Sequence, residues 1–114
     1  MSIKPNNIVA AQLTNAAPAT PGSYVAPANT KSVIKKLTFT NNDTVARTVT
    51  VYLVPSGGTA GVTNILVAAR AVAAGDTFDC TEALGQTMLA GGFISAFADS
   101  ASKVTINGAV AEVV

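Results

Sequence analysis

The sequence has no histidine, no tryptophan and one cysteine, Cys80, among its 114 residues. Without histidine, the usual general base near neutral pH is missing, and so is the commonest metal ligand. A lone cysteine makes neither an intrachain disulfide nor a zinc site. Charge is scarce as well: 11% of residues are ionic, against about 25% in ordinary soluble domains. Seven basic and six acidic residues leave a formal charge of +1, which offers no electrostatic footprint for nucleic acid. No apolar run reaches the ~18 residues that would span a membrane. Met1-Ser2-Ile3-Lys4-Pro5-Asn6-Asn7 lacks the charged-then-apolar order of a signal peptide, so synthesis in a cytoplasm with a reduced thiol is expected. Together these absences point away from an enzyme and from any cofactor or metal, and toward a structural or binding protein.

What remains is a β-forming chain of one domain's length. Its polarity comes mainly from Thr, Ser and Asn, while Ala and Val dominate its apolar side. Such a surface is weakly hydrated and weakly self-repelling, which suits a protein that covers itself with neighbours. Residues 1–21 read as an extended N-terminal arm. Ile8 to Thr14 could form one strand, but Pro5, Pro18, Pro21 and Pro27 exclude helix around it. Two readings of the arm stand open: an edge strand in the body's own sheet, or main-chain pairing with a neighbouring subunit.

From residue 22 the pattern has period two. Leu37 and Phe39 alternate with Lys36, Thr38 and Thr40, predicting a half-buried strand over about 32–41. Asn41-Asn42-Asp43 has turn chemistry, and Val49, Val51 and Leu53 alternate with Thr48, Thr50 and Tyr52 beyond it. This pair is expected to form a hairpin. Further strands are expected over residues 64–72, 77–81, 93–98 and 103–114, with a helical turn or crossover over 82–87 and a bulge or kink at Asn107-Gly108. Seven or eight short strands without a long amphipathic helix predict an all-β fold, a single antiparallel β-sandwich, Ig-like or jelly-roll-like.

Few side chains carry candidate chemistry. Asp76, Asp79 and Glu82 could share a hard cation, but no ligand series follows them, and solvated loop charges are the simpler reading. Cys80 shares a face with Phe78, as a buried, inert thiol would. Lys31, Lys35 and Lys36 form the one basic cluster, though strand alternation places Lys35 and Lys36 on opposite faces. The candidate interface residues are Ile3, Ile8, Val9 and Leu13 of the arm, with Tyr24 and Tyr52.

Several segments resemble small structural proteins of tailed-bacteriophage virions. These are Tyr24-Val25-Ala26-Pro27-Ala28, Val33 to Asn41, Thr48 to Gly58, Ala73 to Thr77, Leu89 to Ile94 and Val104 to Gly108. The likeness spans roughly residues 22–114 and rests on strand and turn signatures. It implies a capsid decoration (cement), head-fibre or tail-associated protein without catalytic residues. The favoured expectation is a decoration protein on the capsid surface of the virion. It would bind the major capsid protein and its own copies, as a homotrimer, with no nucleic-acid or membrane partner. The alternative is a tail or head-fibre module that binds a host glycan or another fibre.

Overall fold

The computed structural model describes residues 2–15 and 24–114. The described residues form nine strands: β1 (Ile3–Gln12), β2 (Tyr24–Val25), β3 (Lys31–Asn41), β4 (Arg47–Val54), β5 (Ile65–Val72), β6 (Thr77–Asp79), β7 (Thr87–Met88), β8 (Phe93–Ala98) and β9 (Val104–Val113). A single 3-10 turn, Thr81–Ala83, follows β6. They build two antiparallel sheets, one ordered β1-β9-β3-β6 with β7 beside β3, the other β2-β8-β4-β5. Leaving out the two-residue β7, the order is first–eighth–third–sixth in one sheet and second–seventh–fourth–fifth in the other. That interleaving is a jelly roll, which decides between the two sandwich topologies expected from the sequence.

The core lies between the sheets. Ile34, Leu37 and Phe39 of β3 and Val104, Ile106 and Val110 of β9 meet Val49 and Val51 of β4 and Ile94, Ala96 and Ala98 of β8. β-Branched residues supply much of this interior, so packing and β-propensity agree. Burying one such side chain contributes roughly 1.5–3 kcal/mol.

The expected hairpin of β3 with β4 does not form. The two strands lie in different sheets, and among the described residues β4 and β5 are the only sequence neighbours that pair. Asn41 explains the corner. Its side chain is fully buried; Nδ2 donates to the carbonyls of Val45 and Val72, each at 2.9 Å, while Oδ1 accepts the amide of Asp43. Its backbone is tied to the β5–β6 turn by Asn41 N to Asp76 O and Gly75 N to Asn41 O. The chain leaving β3 is thus held across the sandwich rather than folded back.

A second difference concerns the lysines. The register of β3 against β9 shifts between Ile34 and Lys36, so Lys35 is an extra, bulged residue. A bulge breaks strict alternation, and Lys35 and Lys36 are both exposed. Just past the bulge, Gly108 pairs with Leu37, and a Cβ there would lie 2.2 Å from the Lys36 carbonyl oxygen. The kink expected at Asn107-Gly108 is therefore a point of close backbone approach that admits no side chain.

The N-terminal strand pairs within its own subunit, from Ile3 opposite Val113 to Gln12 opposite Thr105. Ile8 and Leu13 enter the subunit's core. This corrects their place among the candidate interface residues: they serve the sandwich itself. The free edge of β1 is poor for further pairing. Pro5 lacks an amide hydrogen, the register breaks between Ile8 and Ala11, and Lys4 opposes the inward-facing Glu112. These are the devices that blunt sheet edges against strand addition. The side chain of Val9, the prolines Pro18 and Pro21, and the expected arm boundary at residue 21 lie outside the described residues.

Candidate interaction surface

Jelly-roll winding gathers distant segments at each end of the sandwich. One end carries the β2–β3 connection (residues 26–30), the β4–β5 loop (55–64), the β7–β8 turn (89–92), and the ends of β1 and β9. The other carries the β3–β4 corner (42–46) and the β5–β6 (73–76) and β8–β9 (99–103) turns. The two ends differ in chemistry.

None of the three connecting segments at the first end contains a charged residue. Most of the large apolar side chains that the described residues expose are here: Ile3 (65% exposed), Val25, Val62 (87%), Leu89 (65%) and Val114 (51%). Leu89 and Ala90 line two open depressions. One, about 500 Å³, is lined by residues that include Val54, Pro55 and Met88; the other, about 430 Å³, by residues that include Lys31, Val113 and Val114. Among the described residues, the charged side chains nearby are Lys4, Lys31 and Glu112, and Glu112 is buried. Exposed apolar residues scattered singly need no explanation, but a cluster on an end face poor in charge is how contact surfaces are built.

Behind this face, a polar cluster ties the sheets together. Tyr24, on β2, crosses to the opposite sheet and donates its hydroxyl hydrogen to the Glu112 carboxylate. Its oxygen is then free to accept from Ser32 Oγ at 2.7 Å, since a phenol has one hydrogen to give. Asn6 Nδ2 also donates to Glu112, at 3.3 Å. Burial pushes the Tyr24 phenol up to about 12, helped by the Glu112 carboxylate it bonds. Tyr24 is therefore an internal clamp, not the contact residue expected from the sequence. Tyr52 differs: it lies on the outward face of β4, half-buried, and stacks on Phe97 with centroids 6.3 Å apart.

The remaining candidates are dispersed. Asp76 sits in the turn before β6 and accepts the Thr77 amide. Glu82 pairs with Arg70 at 2.7 Å, whose guanidinium stacks over Phe78. Asp79 opposes Thr38 on the sheet surface. Cys80 is buried, and burial raises its thiol pKa, which disfavours the reactive thiolate. Sequence reasoning missed the end face. Its signal was present as three charge-free turn segments, but only the fold brings residues 26–30, 55–64 and 89–92 together.

No protein-family model matches the sequence, and no curated protein matches it either. Similar folds occur among solved structures. A protein from the structure reported as "Bacillus endospore appendages form a novel family of disulfide-linked pili" superposes with a TM-score of 0.50 at 13% identity, covering 97% of this chain and 87% of its own. A chain of infectious bursal disease virus, Gx strain, superposes at 0.45 and 14% identity; the match covers 98% of this chain but 33% of the viral one. The first likeness is one of fold.

Proposed function

We propose that this protein is a non-enzymatic structural component of a bacteriophage virion, decorating the capsid by binding the major capsid protein and copies of itself. The observation that carries this reading is the apolar end face around Leu89, whose three connecting segments carry no charged residue. A face of that kind adheres to protein. Support also comes from the endospore appendage protein, which shares the fold and belongs to a family that forms pili. Disulfide linkage does not transfer, because the single cysteine here is buried.

Binding to intact heads tests the reading. The purified protein should saturate phage particles at a fixed stoichiometry and raise their resistance to heat. Absence of head binding, together with few copies per virion and adhesion to cells, would favour the fibre-module alternative instead. Sedimentation of the free protein decides whether the homo-oligomer is the closed trimer expected from the sequence or an open assembly.

A further inference from the structure

The end opposite Leu89 is polar and tilts acidic. It holds Asp43, Asp76 and Asp99 against Arg47 and Lys103. Arg47 is taken up by Asp43 in a 2.6 Å ion pair, and Lys103 also acts on Asp43. Asp76 and Asp99 have no ion-pair partner among the described residues. Asp76 is exposed, and so is Val45, an apolar residue on the same end. Among the described side chains, the Leu89 end carries two lysines and one buried glutamate. The body measures 46 × 24 × 20 Å, so the two unlike ends are far apart along its length.

We infer that the apolar, lysine-flanked end of one copy docks on the aspartate-bearing end of a second copy, head to tail. Lys31 and Lys4 would approach Asp76 and Asp99, and Leu89 would cover Val45. The inference rests on the structural reading above and names the occupant of the face. Like-to-like contact of the Leu89 ends would bring lysines together; unlike ends bring opposite charges together, which sets orientation and register. A heterologous contact of this sort propagates into a chain or closes into a ring. Assembly through such a contact depends on concentration.

Sedimentation velocity on the full chain tests this with two variants. Leu89→Glu/Lys31→Glu alters one end, and Val45→Lys/Asp76→Lys the other; all four positions are exposed. The wild type should gain mass with concentration and lose it in high salt. Each variant alone should stay monomeric, whereas an equimolar mixture should associate again, since each retains the end the other lacks. That rescue also shows that both variants are folded. A wild type monomeric at every concentration overturns the inference. So does a Val45→Lys/Asp76→Lys variant that still dimerises while Leu89→Glu/Lys31→Glu does not, because that pattern marks like-to-like contact. A wild type that binds heads yet never self-associates would remove this inference and leave the decoration reading standing. Chains without head binding would do the opposite.

Discussion

Asn41 shows how one side chain can select a topology. Its amide donates to Val45 and Val72 carbonyls from a fully buried position, joining two turns that are 32 residues apart at the Ala73 contact. Replacing it with Asp would set a carboxylate against those carbonyls. Asn41→Asp should lower unfolding free energy by more than Asn41→Ala, itself about 2–3 kcal/mol, as read by urea denaturation. Tyr24 offers a pH test. Its folded pKa, about 12, exceeds the unfolded value of 10.0, so the protonated phenol favours the fold. That contribution is complete below pH 10 and is lost as pH rises through 12. Alkaline titration of stability should therefore show a fall over this window that Tyr24→Phe lacks. At neutral pH Tyr24→Phe should itself lose about 1–3 kcal/mol, because Ser32 and Glu112 lose a buried partner.

At the scale of elements, β1 and the bulge of β3 matter most. Deleting residues 1–12 removes Ile8 from the core and uncovers the whole paired length of β9. Loss of cooperative unfolding by circular dichroism is expected; a truncated chain that melted normally would return β1 to the role of a detachable arm. Gly108 and Gly75 make a sharp pair of controls. A Cβ at Gly108 meets the Lys36 carbonyl at 2.2 Å, whereas Gly75 has open space and only a positive φ of 74°. Gly75→Ala should lose about 1 kcal/mol, and Gly108→Ala about 3 kcal/mol or more, since backbone must move to admit the methyl. The strands themselves were legible as period-two runs: Leu37 and Phe39, Val49 and Val51, Val104 and Ile106 all point inward as the alternation requires. The pairing was not, because alternation looks identical in a hairpin and in a corner that changes sheets.

For the molecule as a whole, low charge has a measurable consequence. The ion pairs among the described residues, Asp43–Arg47 and Arg70–Glu82, both lie at least partly in solvent, where such pairs contribute about 0–1 kcal/mol. Folding stability should therefore change little between low and molar salt, while self-association through the two ends should weaken. Comparing the melting temperature with the sedimentation profile over one salt series separates the two effects. The end face also shows why the site was hidden from the sequence. Leu89, Val25, Ile3 and Val114 are unremarkable singly, and the N-terminal residues drew attention as a contact arm. Once β1 is seated against β9, Ile8 and Leu13 turn inward and Ile3 alone of the arm's described candidates remains exposed.

The amino-acid order alone determined that this chain is all-β, built of short alternating strands, and poor in groups that could perform chemistry. Those properties are local: they depend on the side-chain period, on turn residues and on composition. Which strands pair, which residues of the arm are buried, and which three turns share an end were decided only by tertiary structure. They depend on contacts between segments tens of residues apart, and a two-residue period carries no label for its partner.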